Sequence, residues 1–175
     1  MPPLRPLTLL LALTVLGTAL AAPLQSRYTS LAESDCRLVS LDQESGSSAQ
    51  LCPGLAGYGV LAQEGDLRQS LTLTSPDGRR WDLNMWSDGF SSLGPRIEWR
   101  GQLRAGRFVP ASLIVRLNVS QNPEHPERTT PTLWVGKITP RAVCVTARIS
   151  VSRSMNALAR QAADRAPSQP CLKVP

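Results

Sequence analysis

Residues 52–83 read CPGLAGYGVLAQEGDLRQSLTLTSPDGRRWDL, and this stretch decides the fold class. Apolar and polar side chains alternate over residues 68–75, as they do in a strand with one buried face. The SPDG segment at residues 75–78 is a strong turn signal, and it joins that strand to a second alternating run through Trp81 and Leu83. The stretch therefore predicts a β-hairpin at the centre of a small β-rich domain.

Short alternating segments of the same kind recur along the chain, and one segment near its end has helical periodicity. The helix is predicted over residues 155–166, with Ser154 as its N-cap and Pro167 as its stop. We expect loops at residues 23–34, 42–50, 87–94, 101–106 and 121–131. We expect strands at residues 36–41, 58–63, 68–75, 80–84, 96–100, 111–119, 132–138 and 142–151. About eight strands and one C-terminal α-helix indicate a mainly β fold, either an antiparallel barrel or a sandwich.

The N-terminus predicts a cleaved signal peptide over residues 1–21. A short basic head precedes an apolar run at residues 7–20, and Ala19 and Ala21 supply the small residues that signal peptidase requires. The run is shorter than the roughly 20 residues that a spanning helix needs. Residues 22–175 are then one mature domain, and we expect it to be periplasmic or secreted, with no transmembrane segment.

Four cysteines lie in that mature domain, which predicts two disulfides in an exported protein. The sequence allows three pairings. Cys36–Cys52 together with Cys144–Cys171 is favoured, because each bond then closes a loop of modest length near one end of the domain. Their spacings match no zinc-binding pattern, so no metal site is predicted.

The charge balance is basic, with 19 Lys and Arg against 13 Asp and Glu. Removal of Arg5 with the signal peptide leaves a formal charge of +5. A charge of this size suits an acidic envelope polymer or an anionic surface, although an arginine bias also follows from genome composition. The export signal argues against nucleic acid, which is therefore not a predicted partner.

The candidate binding residues are Arg96, Arg100, Trp86 and Arg80. Arg96, Glu98 and Arg100 share one face of their predicted strand as a row of alternating charge, which is either a solvated sheet face or a binding face. Trp86 lies at the edge of a loop and is the tryptophan expected to be exposed. Beside these arginines it would form a stacking and charge site for a sugar or an anionic ligand.

No catalytic residue and no cofactor is predicted. The single histidine, His125, lies in a polar loop that offers little rigid support for catalysis. Glu64 and Asp66 fit a turn, and the glycines of residues 54–59 precede a strand rather than a helix, so they form no phosphate loop. We expect a non-enzymatic binding module for an envelope polymer, a small ligand or a protein partner. A hydrolase of unrecognised type and a periplasmic inhibitor of lysozyme or a protease are the alternatives.

Several of these segments also carry a resemblance. They are CPGLAGY at 52–58, EGDLR at 64–68, LG at 93–94, IEWR at 97–100, NALAR at 156–160 and the final Cys171. With them the chain resembles a family of small exported bacterial proteins to which no activity is assigned, which implies export and a four-cysteine framework. A looser resemblance is to lipocalins, which end a barrel with a helix held by a disulfide, but their Gly-x-Trp signature is missing here.

Overall fold

A computed structural model describes residues 23–173, which fold into ten strands and one α-helix. The prediction of a mainly β fold with one C-terminal helix is confirmed. The predicted signal peptide lies outside the described residues. The elements are β1 (Gln25–Ser30), β2 (Arg37–Leu41), β3 (Ser48–Cys52), β4 (Gly59–Gly65), β5 (Arg68–Thr74), β6 (Arg80–Asp82), β7 (Phe90–Arg104), β8 (Arg107–Ser120), β9 (Thr129–Ile138), β10 (Val143–Ile149) and α1 (Met155–Arg165).

All ten strands belong to one mixed sheet with the order β10-β9-β8-β7-β5-β4-β3-β2. In addition, β1 pairs with β7 and β6 pairs with β5. Every pair is antiparallel except β5 with β7, which are joined through a single register pair, Arg68 with Ser91. The end strands β2 and β10 do not pair with each other. The sheet is therefore not closed, and the sandwich is the predicted alternative that fits it.

One main core lies between two groups of strands, β2–β6 and β7–β10, which meet at the β5–β7 junction. Because both groups of strands bury side chains in the same core, the sheet folds over on itself at that junction. We call the two sides the β2–β6 layer and the β7–β10 layer. The former contributes Cys52, Val60, Leu71 and Leu73, and the latter contributes Ile97, Trp99, Leu113, Val115, Leu117 and Trp134.

A second, smaller core lies on the outer side of the β7–β10 layer, where α1 packs against β8 and β9. It explains why Ile114 breaks the alternation of its strand, since Ile114 points away from the main core and toward the helix. Alanines on α1 allow this close packing, as the helical spacing predicted. Ser154 is the N-cap residue, as predicted, but its side chain makes no capping hydrogen bond. The members are Ile114, Leu133, Val135, Met155, Ala159, Ala163 and Ala166.

Both favoured disulfides are present and their pairing is confirmed. Cys36 bonds to Cys52 at the base of the β2–β3 hairpin. Cys144 on β10 bonds to Cys171 and holds the C-terminal tail, whose Leu172 N–H donates to the carbonyl of Val145 at 2.8 Å. Each disulfide thus lies at one of the two end strands of the sheet, β2 or β10.

Some predicted loops are strands. β1 lies within the segment 23–34, β3 begins inside 42–50, and β7 extends through most of 87–94 and 101–106. These segments are rich in polar and small residues, so their own strand propensity is weak. They form strands because a partner strand is in register beside them, which outweighs local preference. In the described part of the chain, no helix is long and apolar enough to cross a membrane.

Candidate functional site

A cleft of about 390 Å³ opens between β7, β8 and the first turns of α1. We call it the arginine cleft. Its polar walls come from Tyr28 on β1, Arg96 and Glu98 on β7, Arg116 on β8, and Asn156 and Arg160 on α1. Ile114, Leu133 and Ala159 also line it, but they belong to the core beneath α1 and at most 5% of each is exposed, so charged and polar groups supply most of its accessible surface.

The alternation of the strands places these arginines. On β7, Ile97 and Trp99 are fully buried in the main core, so Arg96 and its neighbours of the same parity face outward. On β8, the buried side chains of Val115 and Leu117 turn Arg116 to the same outer side. On α1, residues four apart lie on one face, which brings Arg160 into line with the first turn.

Glu98 and Arg160 join the sheet to the helix at one wall of the cleft. Arg160 donates from Nε to Glu98 Oε1 at 2.7 Å and from Nη2 to Oε2 at 3.2 Å, and Ser26 donates to Oε1 at 2.6 Å. Burial by itself raises the pKa of Glu98, but the hydrogen bonds from Arg160 and Ser26 and the nearby arginine charges outweigh it. The pKa of Glu98 therefore lies below its usual value, and the bond to Glu98 raises the pKa of Arg160.

Arg100 makes a second such connection just outside the cleft. Its Nη2 contacts Asp164 Oδ1 at 2.6 Å and Oδ2 at 2.8 Å, and its Nη1 donates to Ser26 Oγ at 3.0 Å. The Arg100 side chain is only 11% exposed. This arginine, expected to bind ligand, is thus occupied in holding α1 against the sheet.

Arg96 and Arg116 are different, because neither forms an ion pair with any residue from 23 to 173. The Arg96 guanidinium lies over the Tyr28 ring, 5.4 Å from its centroid. The stem of Arg116 passes over Gly94, where an added Cβ would come within 2.8 Å of the Arg116 Cβ. Three arginines and one glutamate in the cleft leave a formal charge of +2.

The other two candidate residues lie elsewhere. Arg80 is exposed on β6, in the β2–β6 layer, and Trp86 follows in the loop before β7 with 39% of its surface exposed. Neither lines the arginine cleft, so Arg96 is the one predicted binding residue that does. The sequence reasoning missed Arg116 and Arg160. The outward position of Arg116 on an alternating strand was a signal for the first, whereas nothing local marked the second.

The remaining titratable groups are dispersed. His125 lies in the loop after β8, with its Nδ1 3.4 Å from Glu127 Oε1, and both side chains are well exposed. Among the described residues, no three His, Cys, Asp or Glu side chains are grouped so that they would hold a metal ion.

The fold and cleft define a disulfide-bonded β-sandwich with a helix on one face and an arginine-lined cleft beneath that helix. Comparison with known proteins adds no relative to this description. No protein-family model matches the chain, and neither a curated protein nor a solved structure does.

Proposed function

We propose that this protein is an exported binding module that holds an anionic ligand in the arginine cleft. The observation that carries the proposal is that Arg96 and Arg116 line one cleft without a carboxylate partner among the described residues. A guanidinium is always charged, and its planar fork suits the paired oxygens of a carboxylate or a phosphate.

The size of the cleft narrows the class of ligand. Its volume of about 390 Å³ is larger than a bare ion would fill. A carboxylate or phosphate group carried on a sugar ring or another bulky body would reach the arginines and occupy the remaining space. Acidic polymers and phosphorylated molecules of the cell envelope have that chemistry.

The state of Glu98 supports binding over catalysis. Its pKa is lowered and its oxygens accept bonds from Arg160 and Ser26. A carboxyl group in that state is a weak base and carries no proton at neutral pH, so it suits neither role in acid–base chemistry. Its contacts instead fix the position of α1, and thereby the shape of the cleft.

Export is supported by the two disulfides, which form and persist in oxidising compartments. The signal-like N-terminus agrees with this. N-terminal sequencing of the protein from a periplasmic fraction should begin near Ala22, and a retained N-terminus in a cytoplasmic fraction would contradict export.

Titration calorimetry tests the binding proposal with three probes, namely inorganic phosphate, an oligomer of galacturonate and a neutral oligomer of glucose. We expect the anionic probes to bind and the neutral one not to, and the two anionic arms distinguish phosphate from carboxylate ligands. The double variant Arg96→Ala/Arg116→Ala should weaken anion binding at least about tenfold, because a hydrogen bond to a charged group contributes about 1.5–3 kcal/mol.

The matched control is Arg107→Ala/Arg141→Ala, which removes the same charge from exposed positions outside the cleft. It should change the affinity by less than about twofold at physiological salt, where distant surface charges are screened. Equal weakening by both double variants would mean that only net charge matters and would refute the cleft. So would a lack of binding by both anionic probes.

A further inference from the structure

The two ends of the sheet differ in what covers them. At one end the C-terminal tail lies along β10, held by Cys171 and by the bond from Leu172 to Val145. At the other end β2 pairs only with β3, and no strand within residues 23–173 lies along its outer side. An uncovered edge strand presents unpaired main-chain donors and acceptors that can bind another strand.

The open edge is also apolar. All five residues of β2 are exposed, and Leu38, Val39 and Leu41 are 53%, 45% and 57% exposed. Exposed leucine and valine side chains on an open strand are what an added strand would cover. A bulge at Val39 interrupts the pairing with β3, and such bulges discourage indiscriminate stacking of flat edges. Any partner must therefore be selected by its side chains.

The charge beside β2 selects that partner. Glu33 and Asp35 precede the strand, Asp42 and Glu44 follow it, and Arg37 is the one basic residue among them. Glu33, Asp35 and Glu44 form no ion pair within the described residues. Both ends of the strand are thus acidic, which favours a basic partner.

The β2–β3 hairpin is held ready for such a partner. The Cys36–Cys52 bond closes its base, and at its tip the Asp42 carboxylate accepts hydrogen bonds from the N–H groups of Glu44 and Ser45. A strand that is ordered before binding loses less conformational entropy when a partner adds to it.

We propose that β2 is a docking strand for a basic, extended polypeptide segment, which adds to the sheet along the outer side of Arg37–Leu41. Its main chain would pair with β2, its apolar side chains would cover Leu38 and Leu41, and its Lys or Arg side chains would meet the flanking acids. A second copy of this chain fits less well. Antiparallel pairing of two β2 strands would bring Glu33 and Asp35 of one copy beside Asp42 and Glu44 of the other.

Amide hydrogen exchange by NMR tests this on the oxidised protein from the periplasm. The probe is a short blocked peptide of alternating lysine and valine. We expect it to slow exchange of β2 amides about tenfold or more, because new main-chain bonds protect them. The same peptide with N-methyl groups on alternate amides cannot complete the ladder and should not protect β2.

The variant Glu33→Lys/Glu44→Lys should weaken binding of the lysine–valine peptide about tenfold or more, whereas Glu124→Lys/Glu127→Lys, with the same charge change in the loop after β8, should have little effect. Unchanged exchange of the β2 amides at saturating peptide would overturn the proposal, as would equal binding of the N-methylated peptide. So would protection of β2 at raised protein concentration without peptide, together with a dimer in sedimentation, since the occupant would then be a second copy.

Discussion

Residues 31–89, which build the β2–β6 layer, carry nine acidic and four basic side chains, whereas residues 23–30 and 90–173, which build the other layer and the helix, carry four acidic and fourteen basic ones. The formal charges are −5 and +10. The +5 of residues 23–173 is therefore the sum of two regions of opposite sign. A net charge alone would have assigned the whole molecule one kind of partner.

Each layer pairs only part of its minority charge and leaves most of its majority charge without an ion pair among the described residues. In the β7–β10 layer, Glu98 and Asp164 bind Arg160 and Arg100, whereas Arg96 and Arg116 are among the arginines that form no ion pair. In the β2–β6 layer, two of the four basic residues are bound at turns, namely Arg68 by Asp66 and Arg79 by Asp77. Glu33, Asp35 and Glu44 are among the acids that form no ion pair. Both proposals rest on this unpaired majority charge.

The largest effect should come from the residue that joins the layers. Trp99 is fully buried, its indole N–H donates to Thr29 Oγ1 at 2.9 Å, and its ring lies 6.1 Å from that of Tyr58, which comes from the other layer. Trp99→Ala should lower the free energy of unfolding by about 3–5 kcal/mol, as large cavities in cores do. Urea denaturation measures it. The exposed Trp86→Ala is the control and should cost less than about 1 kcal/mol. Similar losses in both variants would mean that the layers do not share a core.

A smaller loss of stability should arise in the β2–β6 layer without affecting the other layer. Cys36→Ala/Cys52→Ala removes the bond at the base of the β2–β3 hairpin and should lower the free energy of unfolding by about 3 kcal/mol in the loop-entropy account. Phosphate binding at the arginine cleft should be unchanged under native conditions, because the cleft is built by the other layer. Loss of that binding in the folded variant would show that the two layers are coupled.

The smallest effect is a pH dependence in the β2–β6 layer. The hydrogen bond from Arg79, with a further one from Ser75, lowers the pKa of Asp77 from 3.8 to about 2. Its contribution to stability is therefore complete above pH 3.8 and is lost as the pH falls toward 2. Urea midpoints of wild type and Asp77→Asn should differ at pH 5 and converge near pH 2. Arg79→Gln should remove most of that difference, and a gap that persists unchanged at pH 2 would contradict this assignment.

Much of the fold could be predicted from the sequence, because it depends on the pattern of residues that are close together in the chain. The alternation through Leu71 and Leu73, the SPDG turn, the alanine spacing of α1 and the disulfide pairing are all present in the structure. The strands β1 and β3 were missed, because polar residues such as those of Gln25–Ser30 become a strand only where β7 offers a partner.

The candidate site was predicted only in part. The sequence identified the row of Arg96, Glu98 and Arg100 on one outward face, since period-two alternation is a local property of the chain. Which of these arginines stays unpaired depends on where α1 lies. Asp164 comes from a segment 64 residues away along the chain and reaches Arg100 but not Arg96.

Sequence patterns were thus enough to place the outward-facing side chains and the turns, because each follows from neighbouring residues, and they favoured one of three cysteine pairings. The three-dimensional arrangement was needed to show that β2 is an uncovered edge of the described sheet, that α1 covers Arg100 and that Arg96 and Arg116 line one cleft. Those outcomes depend on contacts between segments that are distant in the chain. Whether an arginine is paired or an edge strand is covered depends on distances that no local sequence pattern contains.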